Sequence, residues 1–375
     1  MKKIYIIFMT AIMCFMLSCS KDQPPPEVTL PESESLIEAP VPQESENEET
    51  EPEPVPPEQP ETDEVLPEPQ FFSELTGLEI SEEESKLRPI AVMINNNVNS
   101  LPQSGISAAD IIFECEAEGG ETRMMALFKP YESLGTIGTV RSSRDYFIDF
   151  AQIFDALYIH AGGSPQAYEH IKSRKIQNLD GVNMYLPDTF WRDPERLSTS
   201  LLEHTMVTSG DKLAAKIKEF GYRTQLKNGY EPSLRFAAEE YIPAGESAEY
   251  MKIPRAFASE FKFDFENGTY THTQYGLVQS DKENSEQLTF KNVIVLFASQ
   301  SLLGDEKNRI SVKFTGEGKG YFLTMGKYIP ITWQRDSRDG GIVLTDEMGV
   351  MIELNPGKTF ISVVNSWYSK KLTFN

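Results

Sequence analysis

The chain has 375 residues, with 57 acidic against 35 basic side chains and a formal charge of −22. The surplus is concentrated: residues 20–70 hold sixteen Asp or Glu, thirteen Pro and one basic residue, Lys21, while residues 71–375 carry 41 acidic and 32 basic groups. Such a balance weighs against nucleic acid as a partner, since phosphate-backbone binding relies on summed positive charge.

Lys2 and Lys3 precede a fourteen-residue apolar run, Ile4 to Leu17, which is well short of the ~20 residues needed to span a bilayer. A basic start, an apolar stretch of this length and a small residue before Cys19 make an export signal over residues 1–18. Met16-Leu17-Ser18-Cys19 resembles a bacterial lipobox. Cleavage there would expose Cys19 to lipidation, with palmitate or a similar acyl group, and two or more chains suffice for a lasting anchor. The expected location is the outer face of a bacterial cell membrane.

Residues 19–70 are too charged and too poor in apolar groups to fold, and their prolines favour extended conformations. They read as a disordered tether with a reach of up to about 150 Å; a charged filler serving solubility fits the same composition. With Cys14 removed and Cys19 lipidated, Cys115 is alone and no intramolecular disulfide can form.

Pro89 to Ile94 reads as a buried strand leading into Asn95-Asn96-Asn97. Ile111 to Glu118 alternates, with Ile111, Phe113, Cys115 and Ala117 on one face and Ile112, Glu114, Glu116 and Glu118 on the other. Gly119-Gly120 predicts a two-residue turn and Thr122 to Phe128 the returning strand, a register that sets Arg123 opposite Glu116. Gly135 to Val140 suggests a further strand. Arg141-Ser142-Ser143-Arg144-Asp145 then opens a helix capped by a serine, with Tyr146, Phe147, Phe150, Ala151, Phe154, Leu157 and Tyr158 on one side, the last of these shared with the strand that follows. Leu157 to Ala161 is a strand, and Ser164-Pro165 caps a second helix to about Lys172. Thr208 and Asp211 have capping-box spacing for a third helix ending at Phe220 before Gly221.

Beyond Pro232 the pattern turns to short alternating runs at 262–265, 293–297, 310–314, 321–324, 342–344, 350–354 and 360–364. Asn267-Gly268, Gly318-Lys319-Gly320, Gly326-Lys327, Met348-Gly349 and Pro356-Gly357 read as turns between them. The expected organisation is an N-terminal α/β domain over 71–230, with a mixed sheet and packed helices, and a mostly antiparallel β domain over 231–375.

Chemistry gathers at one place in this scheme. Arg123, Arg141 and Arg144 converge on a helix N-terminus, where guanidinium forks and unpaired amides favour a phosphate or carboxylate. Ser142 and Ser143 lie between them. The second strand-to-helix crossing, His160-Ala161-Gly162-Gly163-Ser164, shares that edge if the strands are parallel, and Glu118 sits nearby. The competing reading is an internal salt-bridge cluster fed by Glu114, Glu116, Glu118 and Asp145. Ser164 with His160 offers a nucleophile and a base, but no nucleophile-elbow pattern surrounds the serine, and a serine before proline is a usual helix cap. The four histidines lack zinc spacing and the three glutamates lie on a strand rather than in a calcium loop, so neither metal nor cofactor is expected. Cys115 reads as a small core residue, and Trp191, Trp333 and Trp367 as core or as sugar-stacking platforms.

RPIAVMINN (88–96), LPQSGISAADIIFECEAEGGETRMMALF (101–128), GTVRSSRDYFIDFA (138–151) and HAGGSPQAY (160–168) resemble the YerB-like family of bacterial lipoproteins. NVIV (292–295), GEGKGYFLTMGKYIPITW (316–333) and LNPGKTFI (354–361) extend the resemblance through the C-terminal part. It implies an α+β layered sandwich and membrane attachment, and it assigns no catalytic residue. The family's usual GPVRS reads Gly138-Thr139-Val140-Arg141-Ser142 here, which is expected to loosen the turn before the helix. Some forty residues around TRMMALF are also similar to envelope glycopolymer transferases of the LytR-CpsA-Psr type, but Val140-Arg141-Ser142 departs from their proline-arginine-aspartate sequence. Three functions follow as expectations: a binding module for an anionic envelope glycan or lipid phosphate, an enzyme acting on a phosphate-linked glycan with Glu118 or His160 as base, and a scaffold for other envelope proteins.

Overall fold

A computed structural model describes residues 69–254 and 257–375, so the expected export signal, Cys19 and nearly all of the acidic segment lie outside the described residues. The fold is α+β. Its main sheet takes strands from both halves of the chain: β1 (Ile90–Asn95), β2 (Ile111–Glu116), β3 (Thr122–Phe128), β4 (Leu157–His160) and β5 (Asn178–Asp180). A second sheet is built around β6 (Tyr250–Ile253), β7 (Ser259–Asp264) and β8 (Thr269–Gln274). The main sheet continues with β9 (Asn292–Leu302), β10 (Gly316–Thr324), β11 (Lys327–Arg335) and β12 (Thr359–Asn365).

Along the main sheet the order is β11-β10-β9-β12-β2-β3-β1-β4-β5. β12 lies parallel to both β9 and β2, with Thr359 opposite Ile111 and Val363 opposite Cys115. The sheet therefore runs without a break past residue 230. Its strands read as continuous apolar runs because both faces are covered. On one face Ala91, Met93, Phe113, Cys115, Met125 and Ile361 pack with Tyr146, Phe147, Phe150 and Ala151 of helix α1 (Asp145–Ile153). On the other, Val92, Ile94, Ile112, Met124, Ala126 and Phe360 pack with Met251, Phe261 and Tyr270 of the second sheet.

Several local expectations need correction. Gly119 and Gly120 do adopt positive φ, but Glu118 joins them in a three-residue connection closed by the Ala117 amide on the Glu121 carbonyl. That extra residue shifts the register, so Arg123 faces Cys115, not Glu116, and Glu116 faces Thr122. A one-residue slip decides which face a side chain joins.

The cap of α1 is Arg144, not a serine. Ser164 does cap the next helix, α2 (Pro165–Ser173), by accepting the Ala167 amide. The third helix, α3 (Gly210–Glu219), begins after Ser209, because Thr208 belongs to the strand Met206–Ser209 and donates to the Thr189 carbonyl. Gly318-Lys319-Gly320 is no turn either: it lies inside β10, where a Cβ at Gly318 would come within 2.5 Å of the Trp333 ring. The turn at Thr139 is held rather than loosened, since its amide donates to the Gln103 side chain and its carbonyl accepts the Asn95 amide.

Candidate functional site

Two chain crossings meet at one end of β1 and β4. The segment after Val140 runs beside the end of β4: Ala161 donates to the Arg141 carbonyl, Ser143 to the Gly162 carbonyl and Ser164 to the Ser143 carbonyl. Ser143 and Gly163 form a parallel bridge, so the two crossings are neighbours as the sequence predicts. The side chains they carry divide into two groups.

Arg123 and Arg144 form a closed ion-pair cluster. The Arg123 Nη2 lies 2.5 Å from Glu118 Oε1, and its Nη1 donates to the Ser142 carbonyl at 2.5 Å. Arg144 holds both oxygens of the same carboxylate, with Nε 2.8 Å from Oε2, and its Nη1 donates to the Ser143 carbonyl at 2.6 Å. Both guanidinium groups are buried. Burial works to raise the Glu118 carboxyl, yet the Arg123 charge and the Arg144 hydrogen bond hold it below its ordinary value. Burial and the nearby Arg144 charge bring Arg123 down to about 9. For these two arginines the structure has the internal salt-bridge cluster, with Glu118 as its carboxylate. They tie the β2–β3 connection to the start of α1.

Ser143, His160, Gly162, Gly163 and Ser164 are likewise committed to the framework. The Ser143 hydroxyl accepts from Tyr158 at 2.9 Å. His160 is fully buried, its Nδ1 facing the Gly162 carbonyl at 2.8 Å and its Nε2 facing Asn178 Oδ1 at 3.1 Å. Neither of these contacts joins His160 to Ser164, whose oxygen receives the α2 amide, so the nucleophile-and-base pairing does not form. Asp180 organises the glycine loop by accepting the amides of Gly162 and Val182 and the Tyr168 hydroxyl. Its position in Leu179-Asp180-Gly181, an aspartate-glycine turn signal, is the clue that the sequence offered.

Arg141 and Ser142 go the other way, to the wall of a cavity of about 490 Å³ that they share with Val140, Ala161, Val182, Arg192, Leu201, Leu202, Glu203 and Met206. Among the described residues Arg141 makes one ion pair, a 3.2 Å contact with the half-exposed Glu203. Arg192 donates its Nη1 to the Leu202 carbonyl at 2.5 Å, and among the described residues no carboxylate lies within ion-pair distance of it. Burial lowers its pKa. Nearby His204, bonded to Asn95 at 2.7 Å, is pushed down by burial and by the Arg141 charge. An adjacent cavity of about 560 Å³ also presents cations, but Arg196 and Lys282 there are already paired with Asp193. No sequence signal pointed to Arg192. It reaches the cavity because its two-residue strand, Trp191–Arg192, pairs with Met206–Val207.

Of the other candidates, Cys115 is buried in the core, Trp333 is buried against Phe314, and Trp367 is half-exposed under Lys371. Among the described residues no helix is long and apolar enough to cross a membrane.

Residues 75–223 match a family described as "Protein of unknown function (DUF3048) N-terminal domain", and residues 250–361 match its C-terminal domain. The chain is 30% identical over 294 residues to a Bacillus subtilis (strain 168) protein named "Putative lipoprotein YerB", an alignment that spans 77% of this chain and 85% of that protein. The crystal structure of YerB from Bacillus subtilis is similar to it with a TM-score of 0.70 and 28% identity, over 81% of this chain and 99% of that one.

Proposed function

The chain belongs to the DUF3048 family, and from that premise we propose a lipoprotein, anchored through Cys19 on the outer face of the membrane, whose folded part binds an anionic envelope ligand. The binding position is the Arg141–Arg192 cavity, not the buried Arg123–Arg144 pair. One observation carries this reading: Arg141 and Arg192 line a single cavity, one of them without a carboxylate partner among the described residues (Arg192) and the other with only a half-exposed one. Guanidinium forks offer paired N–H donors that match phosphate and carboxylate oxygens. An incoming anion displaces Glu203 from Arg141, so the pocket exchanges a weak surface pair for a charge-assisted contact with two cations. Arg123, Arg144 and Glu118 position the backbone of Ser142 and Ser143, and with it the side chain of Arg141.

The test has two arms. Calorimetric titration with inorganic phosphate, glycerol phosphate and a simple carboxylate should give binding that Arg141→Gln and Arg192→Gln each weaken at least tenfold. Equal affinity in native and double-variant protein removes the anion site. Separately, Cys19→Ser should move the chain from the membrane fraction to the soluble fraction; retention in the membrane removes the anchor.

A further inference from the structure

We infer that the ligand of this cavity is an amphiphile, a phosphate-headed lipid whose aliphatic chain leaves across Leu201, Leu202 and Val182. The inference rests on the anion-binding reading above and adds the ligand class. Leu201, Leu202 and Val182 all line the cavity and are 69%, 60% and 51% exposed. Single exposed leucines are ordinary on a protein surface. Three branched apolar side chains at the wall of one cationic cavity are a different matter, because they place apolar surface where a ligand held by the arginines must pass.

The polar alternative, a phosphorylated glycan, fits the lining poorly. Sugar rings are gripped by aromatic faces and by side chains that bond hydroxyls, and the ten lining residues include no aromatic ring. Their polar side chains are Arg141, Ser142, Arg192 and Glu203, a set rich in donors for an anion. The rest are Val140, Ala161, Val182, Leu201, Leu202 and Met206, which suit an aliphatic chain. Each methylene buried against them strengthens binding by about fourfold. The lipid source is the membrane to which the proposed anchor holds the chain.

The test uses the mature chain, tether included, with Cys19→Ser so that no covalent acyl group competes. Trp191, adjacent to Arg192, reports binding through its emission, with calorimetry as a second readout. Dodecyl phosphate, kept below its micelle concentration, should bind at least tenfold tighter than glycerol phosphate. Leu201→Ser with Leu202→Ser should bring the ratio of the two affinities most of the way to one, whereas Arg141→Gln or Arg192→Gln should weaken both. Equal affinity for the two phosphates overturns the amphiphile and leaves the anion site standing. Dodecyl maltoside binding as tightly as dodecyl phosphate, with no effect of the arginines, overturns the anion site and this inference together, as does the failure of both phosphates to bind.

Discussion

Glu114 on β2 accepts the Ser259 hydroxyl of β7 at 2.9 Å, a hydrogen bond across 145 positions that joins the main sheet to the second sheet. Asn96, Thr122 and Gln274 donate to the same carboxylate at 2.8–2.9 Å. His272 stands next to it, its Nε2 3.3 Å from the Ser259 oxygen. Both groups are fully buried.

These neighbours give opposite pH dependences. Burial raises Glu114 from 4.5 to about 7 against its four donors, so its contribution is full below pH 4.5 and is lost as pH rises through 7. Burial lowers His272 from 6.5 to about 3, so its contribution is full above pH 6.5 and is lost as pH falls through 3. Between 4.5 and 6.5 the two slopes oppose each other. Glu114→Gln removes one of them, so in urea unfolding the stability of the variant relative to the native protein should rise with pH by up to about 1.4 kcal/mol per unit in this window. Parallel pH profiles for the two proteins would contradict this account.

Glu118 neutralises two buried cations, whereas Glu203 meets Arg141 at the surface. Glu118→Gln leaves Arg123 and Arg144 without their shared counter-ion, and because Glu118 is one-quarter exposed the loss should be about 2–4 kcal/mol, below the cost of a fully buried pair. Arg141→Gln should cost less than about 1 kcal/mol, as exposed pairs do. Denaturant midpoints of the two variants measure the contrast, and similar losses would argue against it.

Trp333 donates to the Phe297 carbonyl at 3.0 Å while its ring fills the space that the hydrogen of Gly318 leaves. A Cβ at Gly318 would stand 2.5 Å from that ring and 2.6 Å from the same carbonyl oxygen, which is backbone and cannot swing aside. Gly318→Ala should lower stability by about 1–3 kcal/mol through overpacking, and thermal melts followed by tryptophan emission test it.

Ser164 serves α2 as its cap. Ser164→Ala should cost about 1 kcal/mol in denaturant unfolding and leave phosphate affinity in the Arg141–Arg192 cavity unchanged. A large loss of affinity at unchanged stability would return Ser164 to the ligand site.

Local patterns carried much of the fold. Alternation over 111–118, the paired glycines, Ser164-Pro165 and the β-branched runs after 290 each identify an element, because strand and helix periodicity and cap chemistry are properties of neighbouring residues. The long blocks shared with the YerB-like family gave the family. Failures came where the deciding contact was remote. Gly318-Lys319-Gly320 has turn composition, yet its glycines answer Trp333, fifteen positions away. Thr208 has cap spacing, yet its hydroxyl is taken by the Thr189 carbonyl.

By itself the amino-acid sequence determined the α+β class, the family, and a place where two strand-to-helix crossings bring arginines together. Which of those arginines are closed and which line a cavity was decided only in three dimensions. Glu118 reaches Arg144 26 positions on, Glu203 reaches Arg141 across 62, and Arg192 enters through a strand pairing. Charge partnership depends on distances of a few ångströms set by strand order and register, and those are fixed by the packing of the whole sheet.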